Sequence, residues 1–284
     1  MNKTMLKTSL VVLALAALVP PAFGSGVFVR SESDYLSLAD GSWANLSTNS
    51  TVTGWTISCW VKVATLDGIG VNHHFWSFTD GTNYRRLTTP ESDTGGDRFN
   101  HFYRLNASLS GQTYDTTTWT SNPSTTVWTH MAITASYSSN YVYHKFWFNG
   151  TNTHSPNGIF LAGGVALDPT DIFIGALNGS TFGLNGKIAE VTLWPRVLTQ
   201  TEFDKLAGIN GQTKRRAIDL ETTPTYSMYL PLYSNATEAG SISVTNNGVT
   251  FDTSDDPFPG DDPYASDTYS GRGVGRGIGR GIGR

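Results

Sequence analysis

The stretch from Trp128 to Leu206 constrains this chain more than any other. Trp128-Thr-His-Met-Ala-Ile-Thr134, Phe146-Trp-Phe-Asn-Gly150, Ile172-Phe-Ile-Gly175 and Gly186-Lys-Ile-Ala-Glu-Val-Thr-Leu-Trp194 follow one another, and the last runs into Leu198-Thr-Gln-Thr-Glu-Phe-Asp-Lys-Leu206. Short runs rich in β-branched and aromatic residues, bounded by turn residues, read as strands. Asn149-Gly150 can take positive φ at both positions, as a two-residue type I′ hairpin requires. Phe146 and Phe148 then share one face of their strand and Trp147 takes the other. Thr199 and Glu202 are spaced as a capping box, with Leu198 and Phe203 at the staple positions and Gly208 as the stop. A helix of about two turns is expected there, as a plug over one end of the fold.

The same grammar extends from Tyr35 to Val249. Strand-like runs alternate with Asp40-Gly41, Asp67-Gly68, Asp80-Gly81, Asn185-Gly186 and Asn247-Gly248, the pattern of an antiparallel sandwich. Cys59 is the only cysteine, so stability must come from burial rather than an internal disulfide. Its setting, Ile57-Ser-Cys-Trp60, marks it as a small buried hydrophobe.

Residues 1–24 read as a secretory signal peptide: Lys3 and Lys7, an apolar run from Leu10 to Val19, then Pro20-Pro21 and Ala22-Phe23-Gly24. That run is too short to span a bilayer, so the mature chain is expected to be exported without a membrane anchor. Residues 25–251 are expected to form one domain. From residue 252 to 270 the chain turns acidic and proline-bearing and is expected to be a linker. Residues 271–284 repeat Gly-Arg-Gly-Val/Ile, a basic tail whose Arg272, Arg276, Arg280 and Arg284 suit an acidic partner or anionic polymer. For an exported protein, nucleic acid is not the expected polymer.

Taken in order, Tyr35-Leu-Ser-Leu38, Trp55-Thr-Ile-Ser-Cys-Trp-Val-Lys62, Trp128-Thr-His-Met-Ala132, Phe146-Trp-Phe-Asn-Gly150, Ile174-Gly175, Gly186-Lys-Ile-Ala-Glu-Val191, Leu198-Thr-Gln-Thr-Glu202 and Tyr229-Leu-Pro-Leu232 resemble the successive motifs of laminin-G-like, concanavalin A-like jelly-roll domains. The resemblance implies an all-β, two-sheet antiparallel jelly-roll sandwich with one short helix near the C-terminal end of the domain. It also implies a lectin-like, extracellular role. Ala189 departs from the aspartate such domains commonly carry there. The resemblance allows a calcium ion at the sandwich edge, but no segment supplies several oxygen ligands, so no metal site and no other cofactor is assigned.

Catalytic chemistry finds little support. Glycoside hydrolysis needs two carboxylates flanking the scissile bond, and the nearest approaches, Glu32-Ser-Asp34 and Asp219-Leu-Glu221, are expected to be solvated surface acids. His130 is expected to be a packed, hydrogen-bonded structural histidine, since no carboxylate or nucleophile near it in sequence completes a relay. His73-His74 lack a third ligand.

Binding is the better expectation. Alternation groups Tyr84 with Arg86, Asn100 with Phe102 and Arg104, and Tyr143 with Lys145 and Trp147. If coplanar, Tyr84, Arg86, Asn100, Arg104, Lys145 and Trp147 would form a cationic, aromatic surface for an anionic glycan. Trp119 is a further exposed candidate, whereas Trp60 and Trp128 are expected in the core. The reading is an exported, non-catalytic module for a glycan or glycoprotein of a cell surface or matrix. A self-associating structural subunit is the first alternative and a polysaccharide-degrading enzyme the second.

Overall fold

A computed structural model describes residues 24–29, 33–39, 54–64, 74–79, 84–88, 100–104, 112–115, 124–138, 141–154, 159–160, 171–177, 183–220, 225–232 and 244–258. Its strands are β1 (Ser25–Phe28), β2 (Tyr35–Ala39), β3 (Gly54–Val63), β4 (His74–Thr79), β5 (Tyr84–Thr88), β6 (Asn100–Arg104), β7 (Gln112–Asp115), β8 (Thr129–Ser138), β9 (Tyr141–Phe148), β10 (Thr151–His154), β11 (Ile159–Phe160), β12 (Asp171–Ile174), β13 (Gly186–Trp194), β14 (Met228–Leu230), β15 (Val244–Asn247) and β16 (Thr250–Asp252), with one α-helix, α1 (Gln200–Ala207), and a single 3-10 turn at Ala217–Asp219 among the described residues. The strands form two antiparallel sheets. The larger runs β10-β9-β8-β3-β13-β1-β16, with β11 also beside β9 and β14 also beside β13; the smaller runs β15-β2-β12-β4-β5-β6-β7. This is the two-sheet sandwich with one short helix that the sequence predicts.

Period-two alternation explains which residues meet between the sheets. In β3, Trp55, Ile57, Cys59, Val61 and Val63 point into the core, where they join Met131, Ile133 and Phe146 of their own sheet and Leu36, Leu38, Trp76, Phe78, Ile172 and Ile174 of the other. Trp55 meets Trp76 and Phe78 edge-on, with centroids 6.4 and 6.2 Å apart, which ties the sheets together at one point. Burial pushes the Cys59 thiol up to about 12, so it stays a protonated hydrophobe. The other β3 positions except half-buried Lys62 are buried too, because the larger sheet is covered on its outer face as well.

Two local devices follow the sequence closely. Asn149 and Gly150 take φ of 46° and 76° and join β9 to β10 as a two-residue turn, with Phe148 opposite Thr151. Gly175, just after β12, has φ of 84°, and a Cβ there would overlap the ring of buried Phe28. Gly175→Ala is therefore expected to lose about 3 kcal/mol of stability, from backbone strain plus overpacking, as read by urea denaturation.

Candidate functional site: the outer face of the larger sheet

Outward positions of the larger sheet are divided between a covered half and an open one. Helix α1 covers the centre rather than plugging an end of the sandwich, because its apolar stripe meets outward aromatic residues. Phe203 stacks on Trp147 with centroids 4.0 Å apart and planes 20° from parallel, and Leu198, Leu206, Ala132, Trp194, Ala217, Leu220 and Tyr229 belong to the same cluster. The capping box forms as the sequence predicts: Thr199 N–H donates to Glu202 Oε2 (2.7 Å) and Glu202 N–H to Thr199 Oγ1 (3.4 Å). Gly208 closes the helix in the left-handed region. Arg196 grips Glu202 with both terminal nitrogens, and Gln200 Nε2 donates to Gly150 O (2.8 Å), which anchors α1 to the hairpin.

Beside α1 lies a carboxylate that sequence reasoning missed. The register of β13 against β3 shifts between Ala189 and Thr192, and Glu190 takes φ of 55°. This bulge re-aims its side chain. Glu190 Oε1 accepts from Tyr229 OH (2.8 Å) and Arg216 Nη1 (3.3 Å), and Oε2 accepts from the Ala217 N–H (3.2 Å). Burial pushes its carboxyl up to about 7, against the pull of those donors. Arg216 Nη2 reaches on to Asp256 Oδ2 (3.3 Å), whose carboxyl burial also raises. One guanidinium thus fills the gap between the two carboxylates, so this pair cannot flank a glycosidic bond. The signal was readable: Ile188 and Val191 face inward three positions apart, which strict alternation forbids without a bulge.

Residues 252–258, expected to begin a linker, are instead part of the fold and form a strap over the same face. They gain from the sheet what they cannot supply alone. Asp252 and Asp255 both pair with Lys187 (2.7 and 2.5 Å), Asp255 also pairs with Lys62, and Trp128 Nε1 donates to Asp255 Oδ1 (2.9 Å). Burial by itself raises the Asp255 carboxyl, but hydrogen bonds from Lys187, Lys62 and Trp128 together hold it below its ordinary range. Lys214 donates to Pro257 O, and the buried Phe258 ring meets Trp60 edge-on at 5.8 Å, with Lys214 and Arg216 within 4.8 and 4.7 Å of its centroid. Trp60 and half-buried Trp128 therefore line this outer cluster and not the core between the sheets. Ala189 packs here too, where a carboxylate would face Trp60 and Phe258.

The proposed coplanar surface does not exist as one plane. Tyr84, Arg86, Asn100 and Arg104 lie on β5 and β6 of the smaller sheet, whereas Lys145 and Trp147 lie on β9 of the larger. The β5–β6 register does align Tyr84 with Arg104 and Arg86 with Phe102, and it sets Thr88 opposite Asn100. Trp147 is only 6% exposed beneath Phe203, so it is no ligand platform. Trp119, Arg272, Arg276, Arg280 and Arg284 lie outside the described residues.

Lys145 instead borders the open half of the face. Tyr141 and Tyr143 are each 40% exposed, with ring centroids 6.3 Å apart and planes 36° from parallel. Lys145 continues the column, and Ser138, Ser136 and Thr134 stand opposite these three on β8. The result is a shallow aromatic shelf with a polar floor and one cation.

Other candidates have structural roles or none. Asp34 is buried and accepts from the Val29 N–H (3.0 Å), contrary to the expected solvated acid. His130 is buried against Trp60, and neither ring nitrogen is hydrogen-bonded, contrary to the expected bonded ring; only its backbone pairs, with Asn149. Burial, helped by Lys214, pulls its imidazole down to about 3. Buried His74 sits in β4, and His73 lies outside the described residues. No group of three or more His, Cys, Asp or Glu side chains able to hold a metal occurs among the described residues. No helix among them is long and apolar enough to cross a membrane.

This two-sheet arrangement defines a jelly-roll sandwich of the lectin type. A family model described as the concanavalin A-like lectin/glucanases superfamily matches residues 30–203, and the chain belongs to that superfamily. It is similar in structure to a candidate carbohydrate-binding protein from Bacteroides ovatus ATCC 8483, at 17% identity and a TM-score of 0.52, over 82% of this chain and 60% of that one. It is also similar to a native heptameric SAP-like pentraxin from Limulus polyphemus, at 14% identity and a TM-score of 0.51, over 82% of this chain and 96% of that one. At these identities the likeness is one of fold. No curated protein matches the sequence.

Two outcomes are expected of the buried groups. Glu190→Gln faces three donors with one acceptor fewer and should cost about 3 kcal/mol in a urea titration. The pH dependence has opposite signs at the two sites. Glu190 holds a proton in the folded state that the unfolded carboxyl loses near 4.5, so its contribution falls as pH rises toward about 7. His130 stays neutral in the folded state down to about 3 while the unfolded ring protonates near 6.5, so its contribution falls as pH drops through that window. Relative to wild type, stability measured from pH 4.5 to 6.5 should rise more steeply with pH in Glu190→Gln and less steeply in His130→Phe.

Proposed function

We propose that this protein is an exported, non-catalytic module that binds glycans through the open half of its larger sheet. The observation that carries the reading is the exposed Tyr141–Tyr143 pair beside Lys145. Two tilted rings on a polar floor offer sugar rings an apolar stacking surface flanked by hydroxyl partners. Lys145 adds a preference for carboxylated or sulfated units. Membership of a superfamily of lectins and glucanases is consistent with this use, as is the fold shared with the Bacteroides protein. The β5–β6 column of Tyr84, Arg86, Asn100 and Arg104 is a second, separate candidate subsite on the smaller sheet, and the tail arginines are candidates for an anionic polymer at the surface. The carboxylates described close together are held by cations, Glu190 and Asp256 by Arg216 and Asp252 and Asp255 by Lys187, which favours binding over hydrolysis.

The test is binding of the chain from Ser25 onward to neutral, carboxylated and sulfated glycans, with and without calcium. Tyr141→Ala/Tyr143→Ala is expected to weaken binding at least tenfold and Lys145→Ala to weaken only the acidic glycans. If Arg86→Ala/Arg104→Ala alone abolishes binding, the site lies on the smaller sheet. Absence of binding to every glycan would remove this reading and put the structural-subunit alternative first.

A further inference from the structure

Every residue of Asp255-Asp256-Pro257-Phe258 has a partner on or beside the larger sheet or in the segment that follows α1. Asp255 takes Lys62, Lys187 and the Trp128 indole; Asp256 takes Arg216; the Pro257 carbonyl takes Lys214; and Phe258 takes Trp60 with two cations over its ring. The turn is also built in, because Asp256 Oδ1 accepts from the Phe258 N–H at 2.8 Å. This is a composed receptor for an Asp-Asp-Pro-aromatic segment, with cations, an indole donor and an aromatic wall in fixed order.

The sequence carries that segment twice. Pro259-Gly260 is followed by Asp261-Asp262-Pro263-Tyr264, the same acid, acid, proline, aromatic order displaced by six residues. We propose that Asp261–Tyr264 of the same chain is a second ligand for this receptor, so that the strap has two registers. In the first, Phe258 is docked and residues 259–270 tether the basic tail. In the second, Tyr264 is docked, residues 253–260 loop out, and only residues 265–270 remain as tether. At about 3.5 Å per residue the slip halves the tail's reach, from about 40 to about 20 Å. Loop-closure entropy grows slowly with length, so the looped register carries a modest entropic cost. A tether this short also keeps the second motif at a high local concentration, which favours the chain's own copy over another molecule's. Tyr presents the same negative ring face as Phe to Lys214 and Arg216, but its hydroxyl must find a partner or water, so the Phe258 register is the resting one.

The Trp128 indole N–H, which donates to Asp255, reports docking directly. The experiment follows its hydrogen exchange by nitrogen-15 NMR in the full chain from Ser25, with the first motif erased (Asp255→Ala/Asp256→Ala/Phe258→Ala), the second erased (Asp261→Ala/Asp262→Ala/Tyr264→Ala), or both. Erasing the second motif should leave protection unchanged. Erasing the first should reduce it severalfold while leaving it at least tenfold above the double variant, with the protein still monomeric in sedimentation. A first-motif variant no better protected than the double variant would overturn the proposal. So would concentration-dependent dimers of that variant, which would mean that the second motif acts between copies. A swap, Phe258→Tyr/Tyr264→Phe, keeps both motifs and so guards against unfolding by the erasures. It should raise backbone amide exchange at residues 253–256 severalfold, and no change there would equally overturn the two-register strap.

Discussion

The bulge in β13 that turns Glu190 out of the ladder is the constraint on which the outer face depends. A carboxylate at that position has nowhere to go in an unbroken strand except the core or an apolar satellite cluster. The bulge sends it toward Arg216, Ala217 and Tyr229. Because Arg216 is buried with it, the segment after α1 is held down by a hydrogen-bonded guanidinium–carboxyl pair whose separation would leave Arg216 desolvated and short of a partner. Arg216 then offers its second terminal nitrogen to Asp256 and its face to Phe258, so the last described residues are fixed by the same side chain. Helix, following segment and strap are one cover, hinged on one guanidinium.

That cover explains a feature that alternation alone does not. A sheet with one solvated face should show polar outward positions, yet β3 and β13 are buried on nearly every residue. Outward Trp60, Ala132, Trp147, Ala189 and Trp194 are apolar because they meet α1 or the strap. Where the cover stops, along β9, the outward positions revert to tyrosine and lysine while Val142 and Phe146 remain inside. The open shelf is thus the remainder of a face whose apolar part is already used.

Much of the fold was legible in the sequence because it is written locally. The Asn149-Gly150 turn, the Thr199/Glu202 box, the Gly208 stop and the opposite faces of Phe146 and Trp147 each depend on residues within one turn or one strand. What was not legible depends on which strands become neighbours. Alternation correctly put Tyr143, Lys145 and Trp147 on one side of β9, but nothing local says that β9 belongs to a different sheet from β5 and β6. Likewise Phe203 was readable as a staple residue but not as the lid that buries Trp147. Glu190 and the strap failed for a shared reason: an isolated acid or an acidic run looks solvated until the cations that meet it, Arg216 or Lys62 and Lys187, are brought from distant segments.

The strap also changes how the charge of this protein is to be understood. A formal net charge of −4 describes a mildly acidic chain, but the distribution matters more than the sum. Lys62, Lys187, Lys214 and Arg216 gather on one face, and without the strap they would present a cationic patch with two exposed indoles. The chain covers that patch with its own carboxylates. An acidic ligand approaching the larger sheet therefore meets Lys145 on the open shelf rather than the stronger cluster beside it, unless it can compete with a tethered segment that never diffuses away. On the proposed glycan-binding reading, selectivity on this face comes as much from what the strap conceals as from what Tyr141 and Tyr143 display.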